Sequence, residues 1–90
     1  MNDKERINLC SISLEACKCF VNTETYNEIN EYINKYNEWG VGIEMLIDII
    51  SENETRINCD QFTKLQKAME SMGLGQSDRM RTLMNCRENS

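Results

Sequence analysis

The sequence predicts an all-α fold, a compact bundle of about five helices with an antiparallel hairpin around Trp39–Gly42. Three observations lead there. Apolar residues recur at three- and four-residue steps, the spacing of one helix face, and strict alternation is scarce. No proline interrupts the 90 residues. Capping and turn residues then cut the chain into helical lengths and give one domain, residues 1–90.

Asn2 or Asp3 can cap a first helix running to about Phe20. Its stripe is Ile7, Cys10, Leu14, Cys17 and Val21, widened by Leu9, Ala16 and Phe20. Thr25 and Glu28 have the spacing of a capping box, and Tyr26, Ile29, Ile33 and Tyr36 carry a second helix to about Asn37. Trp39-Gly40-Val41-Gly42 reads as a break, because glycine weakens helices and eases turns. A third helix follows over about 41–52, with Trp39, Ile43, Leu46, Ile47 and Ile50 on one face. The fourth has the best-marked start: Asn58 and Gln61 as a capping box, Ile57 and Phe62 as a hydrophobic staple. Phe62, Leu65, Met69 and Met72 form its inner face, and Gly73-Leu74 is a glycine-terminated end. Ser77 caps a short last helix carrying Met80, Leu83 and Met84, and Arg87–Ser90 is expected to fray.

Charge is unevenly distributed. Residues 24–54 hold eight carboxylates against Lys35 alone, a net of −7, whereas residues 1–23 balance and residues 55–90 carry six basic against four acidic groups. Concentrated like charge costs self-repulsion. Glu44, Asp48 and Glu52, spaced by four, stack along the third helix, and Glu24, Glu28 and Glu31 form a row on the second. Such rows serve either as a solvated face or as a docking surface for a cationic partner. Tyr32, Tyr36 and Trp39 cluster beside them, and Trp39 fits equally a binding hot spot or the core's largest anchor. Methionines 69, 72, 80 and 84 fit core packing better than a binding groove.

Several chemistries fit poorly. With no histidine, the commonest general base and the usual activator of a nucleophilic Ser or Cys are missing, and no carboxylate pair is singled out for catalysis, so no enzyme is expected. Five cysteines, an odd number, with a charged start and no apolar leader, fit reduced thiols in a cytoplasmic protein. Cys17-Lys18-Cys19 lacks further ligands for a metal, and no cofactor is expected. The segment 50–61 has the length of an EF-hand loop but carries Ile50, Thr55 and Gln61 where calcium needs Asp, Gly and Glu. The longest apolar run, Met45-Leu46-Ile47, is far too short to span a membrane. A net charge of −5 disfavours direct nucleic-acid binding.

From Asn30 to Leu74 the chain resembles small helical immunity proteins of bacterial polymorphic-toxin systems, including the Maf type and some from contact-dependent growth inhibition. The likeness rests on order and spacing. Residues 30–37 form a helix end, Trp39-Gly40-Val41-Gly42 an aromatic–glycine turn, and Ile43–Ile50 an acidic amphipathic helix. A polar loop and a helix ending Ser71-Met72-Gly73-Leu74 complete it. Val41 and Ile43 stand where smaller residues are common in that pattern, and residues 1–23 and 75–90 add nothing. The resemblance implies a cytoplasmic protein that neutralises a cognate basic toxin domain, a nuclease (RNase) being the expected class, by stoichiometric binding. Glu44, Asp48 and Glu52 would form the contact, with Glu28, Glu31 and Trp39 at its edge. Two alternatives remain. One is a small regulator that binds nucleic acid through the basic C-terminal third (Lys64, Lys67, Arg79, Arg81, Arg87). The other is a helical adaptor or homo-oligomer joined through the first helix.

Overall fold

The computed structural model describes residues 2–88, and within them the fold is an all-α bundle. Its helices are α1 (Asp3–Ala16), α2 (Thr23–Asn34), α3 (Trp39–Glu52), α4 (Cys59–Ser71) and α5 (Asp78–Met84), with a 3-10 turn at Lys18–Phe20. The core gathers Leu14 from α1, Ile29 and Ile33 from α2, Ile43, Leu46, Ile47 and Ile50 from α3, Leu65 and Met69 from α4, and Leu83 from α5. No helix among the described residues is long and apolar enough to cross a membrane.

α1 is packed against α2, α3 and α4 at once, so its apolar residues spread around the helix rather than along one stripe. It stops at Ala16, a turn earlier than the periodicity predicts, and tightens into the 3-10 turn. Asn2 is its cap, accepting from the Glu5 amide at 2.9 Å. α1 and α4 run antiparallel and tie off each other's ends. Gln61 Nε2 donates to Ala16 O (3.0 Å), and Arg6 Nε donates to Ser71 O (3.0 Å). Midway, the buried Ser13 hydroxyl lies 2.9 Å from both Leu9 O and Lys64 O. The last carbonyls of a helix have no partner within it, so each helix here supplies a donor for the other.

The boundaries of the hairpin differ from the sequence reading. The cap of α2 is Asn22, whose side chain accepts from the Thr25 amide at 2.7 Å, so the helix starts before the Thr25–Glu28 pair. It ends at Asn34 rather than Asn37. Asn37 is left-handed (φ 55°), and the Glu38 amide reaches back to Tyr32 O at 2.7 Å. The chain therefore reverses over 35–38, and Trp39, Gly40 and Gly42 lie inside α3. Gly42 is there for packing. A Cβ on it would lie 2.9 Å from Ile33 Cγ1 and 3.2 Å from Ile29 O, too close to stand.

α4 begins at the expected capping box, with Asn58 and Gln61 exchanging hydrogen bonds of 2.7 and 2.9 Å. It ends at left-handed Gly73 (φ 75°), whose amide meets Glu70 O while the Leu74 amide meets Met69 O. Ser77 caps α5. Met80 and Leu83 are buried, whereas Met84 is exposed. The tail is held, contrary to the expected fraying. Ile57 N donates to Cys86 O (2.9 Å), Glu88 N to Ile57 O (2.8 Å), and the Arg87 guanidinium sits 4.7 Å from the Phe62 ring centre. The rest of the predicted frayed segment, residues 89–90, lies outside the described residues.

Candidate interaction surface

The arcs of α3 decide where its carboxylates point. Gly42 faces α2, and Ile43, Leu46, Ile47 and Ile50 face the core. At about 100° per residue, Glu44 and Asp48 come on the side away from α2. There α5 packs, bringing Arg79 to both of them. The guanidinium grips Asp48 in a two-pronged pairing, Nε–Oδ1 3.0 Å and Nη2–Oδ2 3.2 Å, and its Nη1 hydrogen-bonds Glu44 Oε2. Asp48 first, and then Glu44, push the guanidinium pKa further up. Two members of the predicted acidic row are thus partly neutralised from within the chain. Periodicity could not have shown this, because Arg79 is 31 and 35 residues away in sequence.

The other acidic side chains of the central segment have no such cation beside them. Among the described residues, Glu24, Glu28, Glu31, Glu38, Glu52 and Glu54 form no ion pair with Lys or Arg. All six are exposed. Glu31 accepts a hydrogen bond from the Tyr36 hydroxyl at 3.3 Å. Tyr32 and Tyr36 meet edge to face with ring centres 6.2 Å apart, and Lys35 Nζ lies 5.4 Å from the Tyr36 ring centre.

Of the six predicted contact residues, the structure places Glu28 and Glu31 on the outer side of α2, Glu44 and Asp48 on the α5 side of α3, and Glu52 exposed at the end of α3. Trp39 is not with them. Nine positions separate it from Asp48, which at about 100° per residue is roughly half a turn of the helix face. Its half-buried side chain instead lines a shallow hollow with Arg6, Ser71, Met72 and Leu74 beside the end of α4. The reading of Trp39 as an anchor against the core fits this position.

The basic C-terminal third is largely engaged within the molecule. Lys64 pairs with Asp60 (2.8 Å), Arg79 with Asp48 and Glu44, and Arg81 with Asp78 (3.0 Å), while Arg87 covers Phe62. Anionic neighbours of this kind work against a phosphate-binding stripe. Gln61, at the last position of the EF-hand-like segment, spends both ends of its amide on helix caps. No group of three or more Cys, Asp or Glu suited to a metal occurs among the described residues. Cys10 and Cys17 are buried and their thiols are pushed up to about 12 by desolvation. Cys86 is also buried, and Cys19 and Cys59 are exposed. The chain matches no protein family, no curated protein and no solved structure.

Proposed function

We propose that this protein is a cytoplasmic immunity protein. It binds a basic toxin domain, of the nuclease class delivered in contact-dependent growth inhibition, one to one and without turnover, and so holds the toxin inactive. The observation that supports this reading most directly is the exposed acidic surface of the α2–α3 hairpin. Six carboxylates there have no cationic partner among the described residues, and only Arg79 offsets their neighbours. A nuclease must attract phosphates, so its substrate surface is cationic, and an acidic protein competes for that surface by complementary charge. The resemblance of residues 30–74 to helical immunity proteins points to the same class of partner.

The test is co-expression with the product of the adjacent reading frame. That product should arrest growth alone, be harmless with this protein, and form a 1:1 complex whose affinity falls as salt rises. A neighbouring product that is innocuous alone, or that does not bind, would remove the proposal.

A further inference from the structure

On the outward side of the hairpin, partly and largely exposed apolar groups flank the line along which the two helices meet. Going around α3 from Gly42, which faces α2, toward Asp48, which faces α5, the intervening arc presents Ile49, Met45, Glu52 and Val41. Across the groove, Tyr32 on α2 is the next side chain out from the buried Ile33, its Cβ 3.4 Å from where a Cβ of Gly42 would stand. Tyr36 continues the strip at the loop. Tyr36 is 53% exposed and Val41 43%, two of the four large apolar side chains this exposed in the described chain. Glu28 and Glu31 border the strip on α2; on α3 the unpaired Glu52 shares the arc of Met45 and Val41, and beyond Val41 stands Asp48, already held by Arg79. It is an apolar seam with free carboxylates along its α2 edge and at its Glu52 end.

We infer that this seam, Tyr32–Tyr36–Val41–Met45, docks an amphipathic, arginine- or lysine-flanked segment of a protein partner. The inference rests on the basic-partner reading above and specifies which face is used and what the partner must present. Charge decides the occupant. A second copy would set carboxylates against carboxylates, and phosphate groups of nucleic acid or lipid would be repelled in the same way. A cationic segment is attracted by Glu28 and Glu31 along the α2 edge and by Glu52 at the end of the seam, while its apolar side chains cover Val41 and Met45. The Lys35 ammonium near the face of Tyr36, whose hydroxyl donates to Glu31, shows the kind of site an incoming guanidinium would use. Arg79 has a supporting part, since it holds Asp48 at the edge of the seam.

The probe is a synthetic amphipathic Leu/Arg helical peptide, set against a scrambled peptide of the same composition and charge. In NMR titrations the amphipathic peptide should shift Tyr32, Tyr36, Val41 and Met45 and leave the lone Trp39 indole unmoved. Tyr36→Ala with Val41→Ser, both at exposed positions, should weaken binding about tenfold or more. Glu28→Gln with Glu52→Gln should weaken it less and flatten its salt dependence. Equal binding of the scrambled peptide, shifts centred on Trp39 or α4, or unchanged affinity of the Tyr36/Val41 variant would each overturn the seam. The same variant is then tested against the neighbouring toxic product. If that product binds the unaltered protein and the Tyr36/Val41 variant equally, the seam fails while the immunity reading stands. If it binds neither but the peptide still selects the seam, the immunity reading fails and the seam stands.

Discussion

The α1–α4 pair and the α2–α3 hairpin are built by opposite standards. In the first, every end is finished: Asn2 caps α1, Asn58 and Gln61 box the start of α4, Gly73 closes it, and Gln61 and Arg6 satisfy carbonyls of the facing helix. In the second, α3 starts at Glu38 with no side-chain cap, Asn37 and Glu54 take left-handed backbone, and six carboxylates stand unpaired among the described residues. Departures from local rules that are confined to one region tend to mark where function was favoured over stability. These departures fall in the hairpin, which is also where the unpaired charge is exposed.

Gly42 is where a side chain has no room between the two helices of the hairpin, so substitution there gives the largest effect. Gly42→Val should destabilise the protein by about 3 kcal/mol, because its Cβ meets Ile33 and the backbone oxygen of Ile29 and neither can retreat in a packed core. Gly40→Ala, two residues earlier in the same helix, meets only Met72 Sδ at an ordinary 3.6 Å and should gain up to about 1 kcal/mol from helix propensity. Urea denaturation of the pair decides it. Similar stabilities for the two variants would show that the helices do not meet through Gly42.

The same glycines show how far the sequence could be read. The number of helices, the Asn58–Gln61 box and the Gly73 end are local signals and are where the pattern puts them, whereas the bounds of α1, α2 and α3 are shifted. Trp39–Gly42 was expected to turn because glycine is a poor helix former, yet here its role is to let α2 approach α3, a property of two segments together. Asn22, a stronger cap than Thr25, sets the start of α2 one turn earlier. The Arg79 clamp, the strand-like pairing of Ile57 with the tail and the reciprocal caps of α1 and α4 join residues far apart in sequence, and periodicity carries no trace of them. Helical phase alone sets Trp39 with Ile43, Leu46, Ile47 and Ile50, away from Glu44 and Asp48, and the structure keeps it there.

Alkaline pH should act mainly through the stitched side, since residues 24–54 contain no cysteine. Cys10 and Cys17 on and just after α1 keep their protons to about pH 12 when folded, against 9.0 for a free thiol. Between those values the unfolded chain gives up protons that the folded one retains. The stabilisation is whole below pH 9 and declines as pH rises toward 12, by about 1.4 kcal/mol per pH unit for each thiol. Tyr26, held up chiefly by its hydrogen bond to Glu15, adds a loss of the same sign. Denaturation midpoints at pH 7.5 and pH 10 should diverge for the native sequence and converge for Cys10→Ala/Cys17→Ala, which starts lower. Equal pH dependence in the two proteins would contradict the burial of these thiols.

The smallest effect tests the trade between stability and binding most directly. α3 and α4 end in the same way, with the amide after the left-handed residue returning to the last turn: Thr55 N to Ile50 O at 3.0 Å, and Leu74 N to Met69 O at 2.9 Å. At α4 the left-handed position holds glycine, and at α3 it holds Glu54 at φ 50°. A side chain there costs about 1 kcal/mol, and a carboxylate at a helix C-terminus faces the negative end of the macrodipole as well. Glu54→Gly should therefore raise stability by about 1 kcal/mol, read from the urea midpoint at an unchanged slope. A glutamate kept at a site that favours glycine is explained if its charge serves the partner, and the same variant should then slow association with a basic partner at low salt. A variant that is more stable and associates just as fast would leave Glu54 outside the contact and reduce the acidic surface to α2 and the body of α3.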